Sequence, residues 1–447
     1  MIELRKQSVQ YRMTARMKDR SACRLLLLCL LGCALPSLAQ TPQATELPGK
    51  LFDIQKTWTI GGEGNWDYLT FDSSNLRLYI AHGAVVQVVD VNTGKLSGQV
   101  SGFQDAHSIA LDDNGQYGYV SDGPADDVKV FDRETLEIVA SIPTGKNPRV
   151  IVFEPASRLL FVICPDAMTS EPRTPRKDAN GQRIYGNIDP AVHSTVTVID
   201  GDTQKRLADL ELPGKLGFAQ ADGKGTVYLN VTDRSQIAYF NAQAIAARLR
   251  ELAGDRPDGA DGDGNSAGAG KSRGPRNPIF SLDWSDVAPA AQPIPKALHA
   301  FKMPNCESPR GLAIDGVNQR LFVACANMTM EVLNATDGSV MTALPIGAGT
   351  DAIGYDPDRG LIYASNGGGV GSLTIIRQHL TDSYAVIQEL PTRARARTLA
   401  VNPANGDVYL VTNVTGFDLT HNGGIGGLKT AELAGSFQVL VVGSLSN

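Results

Sequence analysis

The chain has 447 residues and a formal net charge of −6, with 46 glycines, 24 prolines and 6 % aromatic residues. This length can hold one large domain or two to three of ordinary size, and the glycine and proline content favours many tight turns over long helices. An acidic chain repels polyanions such as duplex DNA, and no run of basic residues offsets that charge, so nucleic acid is excluded as an expected partner.

Residues 1–39 have the three parts of a secretory signal peptide. Arg20 and Arg24 form a basic region, an apolar run follows from Leu25 to Leu31, and Ser37-Leu38-Ala39 is a small-x-small cleavage site. The apolar run is too short to cross a bilayer, so no transmembrane anchor is expected. Cleavage after Ala39 predicts a periplasmic or secreted protein with 34 Lys and Arg against 45 Asp and Glu, a net charge of −11.

A second interpretation of the same segment stays open. Leu30-Leu31-Gly32-Cys33 resembles a lipoprotein box, in which case Cys33 would be lipidated. Cleavage after Ala39 is preferred because Leu31 fits poorly next to the small residue of such a box. Residues 40–50 are then a linker, and residues 51–447 form the folded domain.

An apolar strand that begins with an aromatic residue recurs seven times along this domain. The seven copies are Tyr79–His82, Tyr119–Asp122, Phe161–Cys164, Tyr228–Val231, Phe322–Cys325, Tyr363–Asn366 and Tyr409–Thr412. Each copy follows another strand that ends in an acid or an amide, at Asp72, Asp112, Glu154, Asp222, Asp315, Asp356 and Asn402. Most copies precede an alternating strand and then a fourth strand.

The repeat period indicates the fold. Asp90 and Asp132 occupy equivalent positions 42 residues apart. Four strands per unit, period-2 alternation and this spacing are typical of a propeller blade, whereas a β-sandwich would not give seven copies in register. We therefore expect an all-β, seven-bladed β-propeller of four-stranded antiparallel blades. The segment Asp53–Ile60 is expected to pair with the last strand, Phe437–Val442, and to close the ring without open edges.

Three insertions interrupt the repeats. Those at 165–192 and 413–430 follow second strands, so we expect both on the face that carries the channel mouth. The third insertion, 242–295, follows a third strand and is expected on the opposite face. It should begin as a helix capped by Asn241, with Ile245, Leu249 and Leu252 at helical spacing, and continue through a disordered segment at 254–275.

Several segments resemble the YVTN-repeat (YncE-like) propeller family. Tyr409-Leu410-Val411-Thr412-Asn413 nearly spells the family signature, and Asp90–Lys95, Cys306–Asp315 and Ala396–Val401 also look like family segments. The resemblance covers roughly residues 51–445. It implies the propeller fold far more firmly than a function, because such propellers include binding proteins, lactonases and dehydrogenase subunits.

In a propeller the residue just before each innermost strand points toward the central channel. Counting five residues back from each strand-ending acid or amide gives Asp67, His107, Arg149, Gly217, Arg310, Asp351 and Arg397. The ends of the second strands add His82, Asp122, Cys164 and Asn366 on the same face. One interpretation is a polar funnel whose three arginines bind a carboxylate or phosphate. The other is that the arginines pair with Asp67, Asp122 or Asp351 and tie neighbouring blades together.

His82, His107 and Asp122 also form a candidate metal site. Two histidines and a carboxylate suit zinc or iron, and the three residues come from adjacent blades. However, the sequence contains no H-x-H or H-E-x-x-H pattern. No cofactor is required by any motif, and the identity of one, if present, stays open.

Three cysteines lie in the mature part of the chain. Cys306 and Cys325 flank the hairpin of the fifth blade and are expected to form a disulfide, whereas Cys164 is expected to be a free, buried thiol. Free thiols at 306 and 325, or a copper site with Met328 and Met330, are the alternatives.

The sequence contains no G-x-S-x-G elbow and no other catalytic arrangement that spacing supports. We therefore expect a monomeric binding or scaffold protein that holds a small anionic ligand or a protein partner at the channel mouth. The alternative is an enzyme, either a metal-assisted hydrolase of the lactonase type or a redox-enzyme subunit, built around His82, His107 and Asp122.

Overall fold

The computed structural model describes residues 50–165, 192–254, 279–281, 298–380, 382–418 and 429–445. Within these ranges the chain forms seven antiparallel sheets that are the blades of a β-propeller. Successive side chains of a strand point to opposite faces of its sheet, and in a propeller each face packs against a neighbouring blade. The apolar residues of the repeats therefore favour strands.

The chain starts with an isolated strand and then builds its first three blades in sequence order. Strand β1 spans Phe52–Thr59. Blade 1 contains β2 (Trp66–Asp72), β3 (Arg77–His82), β4 (Val85–Asp90) and β5 (Lys95–Ser101), and blade 2 contains β6 (Ala106–Leu111), β7 (Tyr117–Asp122), β8 (Asp127–Asp132) and β9 (Ile138–Pro143). Blade 3 contains β10 (Val150–Glu154), β11 (Leu159–Cys164), β12 (His193–Asp200) and β13 (Lys205–Pro213).

Blade 4 is interrupted before its last strand. It contains β14 (Leu216–Ala221), β15 (Thr226–Val231) and β16 (Gln236–Asn241), followed by helix α1 (Ala242–Gly254), the short strand β17 (Ile279–Ser281) and the fourth strand of the blade, β18 (Leu298–Lys302). Strand β17 does not join blade 4. It adds to the outer edge of blade 3, parallel to β13, so blade 3 has five strands.

The remaining blades follow the same order. Blade 5 contains β19 (Pro309–Asp315), β20 (Arg320–Cys325), β21 (Thr329–Asn334) and β22 (Val340–Pro345). Blade 6 contains β23 (Thr350–Asp356), β24 (Leu361–Asn366), β25 (Ser372–Leu380) and β26 (Ser383–Pro391). Blade 7 contains β27 (Leu399–Val401), β28 (Val408–Thr412) and β31 (Gln438–Ser444), and the two-stranded ribbon of β29 (Thr415–Asp418) and β30 (Lys429–Glu432) lies between β28 and β31 in the chain.

The ring closes through its first strand, as the sequence predicts. Strand β1 pairs antiparallel with β31 from Phe52 opposite Ser444 to Thr59 opposite Gln438, and so becomes the outermost strand of blade 7. The predicted closing strand is therefore confirmed. Gln388 of blade 6 also binds the start of β1, because its side chain accepts from the Phe52 amide at 2.8 Å and donates to the Phe52 carbonyl at 2.8 Å.

The acid or amide that ends each innermost strand stabilises the turn that follows it. Asp112, for example, accepts backbone N–H groups of Gly115, Gln116 and Tyr117 at 2.9 to 3.0 Å. Equivalent bonds hold the turns after Asp72, Glu154, Asp222, Asp315, Asp356 and Asn402. These turns lie on the face opposite the second-to-third strand connections, so the repeated acids are structural.

Helix α1 confirms the predicted helix. The Asn241 side chain accepts from the Ala244 amide at 2.8 Å, which caps the N-terminus. Ile245 and Leu249 are buried in the same core cluster as Phe240, and Leu252 packs against that cluster. Residues 255–278 and 282–297 lie outside the described residues, and so does nearly all of the segment 254–275 for which disorder is expected.

The other two insertions are described only in part. Residues 166–191 and 419–428 lie outside the described residues, so the predicted position of these loops over the channel mouth stays a prediction. Of the insertion at 413–430, the structure describes strand β29 and the start of β30, which pair antiparallel from Thr415 opposite Glu432 to Asp418 opposite Lys429.

Candidate functional site

The residues predicted to face the channel lie where the innermost strands depart from regular pairing. Five blades shift register there, between Trp66 and Leu69, Ala106 and Ile109, Leu216 and Ala219, Pro309 and Leu312, and Thr350 and Ala352. In blades 3 and 7, Arg149 and Arg397 come just before the innermost strand begins. Such irregularities turn side chains out of the normal alternation, and here they bring residues of adjacent blades together. We call the seven positions counted from the sequence the mouth ring.

One half of the mouth ring is a chain of three side chains. His107 Nδ1 lies 3.0 Å from Asp67 Oδ2 and 3.3 Å from Arg149 Nη1. A ring nitrogen can serve only one of these partners at a time, and the shorter contact favours an Nδ1–H that donates to Asp67. His107 is buried, whereas Arg149 is exposed. The arginine is therefore near the imidazole and has no carboxylate partner in the part of the chain that the structure describes.

The other half of the mouth ring contains Arg310, Asp351 and Arg397. Arg397 Nε lies 3.1 Å from Asp351 Oδ2, an ion-pair distance without good hydrogen-bond alignment. Arg310 is exposed and forms no ion pair among the described residues. Burial raises the pKa of Asp351, and the negative charge of Asp67 adds to the rise, while the positive charges of Arg397 and Arg310 act in the opposite direction.

An aromatic pair lies across the channel beside this ring. Tyr68 of blade 1 and Phe218 of blade 4 come from far sides of the propeller, yet their ring centroids are only 5.1 Å apart. Each is the residue that follows a mouth-ring position. Burial raises the pKa of Tyr68, with further influence from the charges of Asp67, Asp351, Arg397 and Arg310, so the phenol lies among the charged side chains. Charged side chains and an aromatic pair therefore lie together at the mouth, and we call Tyr68 and Phe218 the aromatic floor.

Arg395 is a further cation at the mouth. Its guanidinium lies over the Trp66 ring at 4.4 Å from the centroid and forms an ion pair with Glu432. Burial and the nearby charge of Arg397 lower the pKa of Arg395. Its backbone φ of +66° lies in the left-handed region, which is unusual for a residue with a side chain.

Three residues predicted at the mouth are instead buried within or between blades. Asp122 is fully buried and accepts the backbone amides of Gln104 and Asp105 at 2.8 and 3.0 Å. His82 bonds to Gln87 at 3.0 Å and packs at a tilt against Phe437, with the ring centroids 4.0 Å apart, and burial lowers its pKa. Asn366 is 1 % exposed and bonds to four side chains, Thr350, Ser372, Thr374 and Glu389.

The candidate metal ligands do not form a cluster in the structure. Over the described ranges, no group of three or more His, Cys, Asp or Glu side chains has an arrangement that could hold a metal ion. His107 bonds to Asp67, while His82 and Asp122 serve the buried contacts given above. The enzyme alternative built on His82, His107 and Asp122 therefore gains no support from their placement.

The cysteines follow the sequence prediction. Cys306 and Cys325 form a disulfide with Cα atoms 5.2 Å apart, and Cys164 is free and buried, with a pKa raised by burial to about 12. Met330 is fully buried in the core, so the copper alternative lacks both its thiols and one of its thioethers. The disulfide fixes the segment that leads into Arg310.

The alternative interpretation of the arginines, in which each pairs with an acid, holds for one of the three. Arg397 pairs with Asp351, Arg149 contacts His107, and Arg310 has no ion-pair partner among the described residues. Two guanidinium groups therefore keep their ionic bonding capacity at the mouth.

Comparisons with solved structures agree on the fold. A chain in the crystal structure of the mitotic checkpoint complex superposes with a TM-score of 0.55 at 11 % identity, covering 91 % of this chain and all of that one. The WD40 repeats of RRP9 and the structure of U3-55K each superpose at 0.57 with 7 % identity, covering 88 % and 87 % of this chain and 98 % of theirs. This chain is a seven-bladed β-propeller.

Sequence comparisons assign the chain to no protein family. No protein-family model matches the chain, and no curated protein matches it. Within the described residues, no helix is long and apolar enough to cross a membrane.

Proposed function

We propose that this chain is an exported binding protein, of the YVTN-repeat (YncE-like) kind, that holds a small anionic ligand at its channel mouth. The observation that carries the proposal is the pair of arginines at the mouth, Arg149 and Arg310, that have no carboxylate partner among the described residues. Guanidinium groups form strong, directional bonds with carboxylate and phosphate oxygens.

Export is supported by the N-terminal segment and by the cysteines. Residues 1–39 have the composition of a cleaved signal peptide, with Cys33 lipidation as the alternative, and the Cys306–Cys325 disulfide suits an oxidising compartment such as the periplasm. The ligand-binding role also agrees with the wide use of propellers as binding and scaffold proteins, the mitotic checkpoint complex being one assembly that contains such a fold.

Isothermal titration of the purified protein with citrate, sulfate and phosphate tests this function. We expect at least one of these anions to bind, and Arg310→Ala to weaken that binding about tenfold because one charge-assisted bond is lost. Arg377→Ala is the matched control, since Arg377 is an exposed arginine at the other end of blade 6, where β25 pairs with Leu361. Equal losses in both variants, or no binding at all, would overturn the proposal.

A further inference from the structure

The second strand of each blade has one position at which polar and apolar residues alternate between blades. It is the next-to-last residue of the strand and is occupied, from blade 1 to blade 7, by Ala81, Ser121, Ile163, Asn230, Ala324, Ser365 and Val411. The polar residues therefore occur in blades 2, 4 and 6. All three are fully buried.

Each polar residue bonds to the backbone of the following blade. Ser121 Oγ donates to the Arg149 carbonyl at 3.0 Å. Asn230 Nδ2 donates to the Arg310 carbonyl at 2.6 Å, and Ser365 Oγ donates to the Arg397 carbonyl at 2.5 Å. The three carbonyls that receive these bonds belong to the three arginines of the mouth ring.

Blades with an apolar residue at this position are not followed by a mouth-ring arginine. Where the position is alanine, isoleucine or valine, the mouth-ring residue of the next blade is not an arginine: the four are His107, Gly217, Asp351 and Asp67. The fold itself accepts alanine at this position in two blades, so it does not need a polar residue there. A buried polar group costs free energy unless it is bonded, and these three side chains are bonded to the arginine carbonyls.

The bond explains how an arginine could be held in place. Arg310 lies at the register shift of its innermost strand, and Arg149 and Arg397 come just before theirs, so regular pairing within the blade gives the peptide plane little restraint. The Arg397 carbonyl also accepts the backbone amides of Asp351 and Ala352 at 3.3 and 3.1 Å. A side-chain donor from the preceding blade adds a bond that restrains the peptide plane and with it the direction of the Cα–Cβ bond. A long, flexible side chain then loses less conformational entropy when it binds a ligand.

We infer that Ser121, Asn230 and Ser365 are positioning residues that hold Arg149, Arg310 and Arg397 as a three-point site for one ligand with two or more carboxylate groups. This inference rests on the proposed function and names the ligand class. The arginines come from blades 3, 5 and 7 and so approach the mouth from different sides. A single carboxylate satisfies one guanidinium, whereas a di- or tricarboxylate can contact several at once.

Titration of the purified protein with citrate, succinate and acetate tests the inference. We expect citrate to bind most tightly and acetate most weakly. Ser365→Ala and Asn230→Ala should each weaken citrate binding about three- to tenfold, while Ser365→Thr, which keeps the hydroxyl, should restore it. Thr70→Val is the matched control, because Thr70 Oγ1 donates to the Ile109 carbonyl of the next blade at 2.8 Å, away from any arginine. It should lower the melting temperature without changing citrate affinity.

The outcomes separate the inference from the function beneath it. One outcome is that Arg310→Ala weakens citrate binding while Ser365→Ala and Asn230→Ala do not weaken it, or weaken it no more than Thr70→Val does. In either case the positioning role is wrong and the binding function stands. Equal affinity for acetate and citrate contradicts the ligand class. If no carboxylate binds, the inference is wrong. If sulfate and phosphate do not bind either, the proposed function is wrong as well.

Discussion

At the scale of single residues, the mouth depends on side chains whose direction the sequence pattern predicts only in part. Counting back from the strand-ending acids found Asp67, His107, Asp351 and the three arginines, because each blade repeats the same spacing. The strand ends were harder to interpret. His82, Asp122 and Asn366 end strands on the correct face, but their side chains turn into the blades and bond there.

The aromatic floor could not be predicted by the same reasoning. Tyr68 and Phe218 each follow a mouth-ring position, yet the other blades do not repeat an aromatic residue there in a recognisable pattern. Their contact joins blades that are far apart in the chain, and only the closed ring brings them to 5.1 Å. Arg395 was missed for a related reason, since it lies in an irregular turn between blades 6 and 7.

The raised pKa of Asp351 predicts a pH dependence of anion binding. As pH falls toward this pKa, Asp351 takes up a proton sooner than an ordinary carboxyl group, and Arg397 loses its anionic neighbour. The mouth then carries one more positive charge. We expect sulfate, which stays doubly charged, to bind roughly three- to tenfold more tightly as pH falls from 7 toward 5.

Asp351→Asn isolates this effect. The variant should bind sulfate more tightly than the parent protein at pH 7 and should lose the part of the pH dependence that Asp351 causes. Titration calorimetry at several pH values measures both. A pH profile of equal steepness in the two proteins would show that Asp351 does not cause the effect.

At the scale of elements, repetition made the blades predictable. The aromatic residue of each second strand is buried in the structure because alternation directs it between blades, and Tyr79, Tyr119, Phe161, Phe322 and Tyr363 are completely inaccessible. Repetition also located β1, because that strand has no blade of its own. Local patterns located the cap of α1 and the Cys306–Cys325 disulfide. Strand β17 was not predicted, since three residues that pair with the outer edge of another blade leave no repeat in the sequence.

The closing strand gives a prediction about stability. Phe52 of β1 is 4 % exposed and meets the Tyr363 ring of blade 6 edge-on at 6.3 Å, so it joins blade 7 to blade 6 at the point of closure. Phe52→Ala should lower the free energy of unfolding by about 3 kcal/mol, because it removes a buried ring and leaves a cavity. Val139→Ala, on the outer strand of blade 2 and 52 % exposed, should change it by less than about 0.5 kcal/mol. Urea unfolding compares the two, and equal effects would contradict the role of β1 as a closing element.

At the scale of the whole molecule, the propeller has two different faces. On one face, buried acids hold tight turns, and Arg133 lies between Asp72 and Asp112 of blades 1 and 2 at 2.5 and 3.5 Å. Helix α1 follows a third strand on that same side. On the other face, irregular strand starts present charged residues to the channel, and three of the arginines are supported by the blade before. The fold is common to many unrelated functions, so the proposed function rests on the side chains of the second face and not on the fold.

A crystal structure of the protein grown with citrate tests the central claim most directly. The account predicts citrate in the mouth, above Tyr68 and Phe218, with carboxylate oxygens within about 3 Å of the guanidinium groups of Arg149, Arg310 and Arg397. A mouth without citrate, in which Arg149 and Arg310 have each turned onto a carboxylate of the protein, would contradict it.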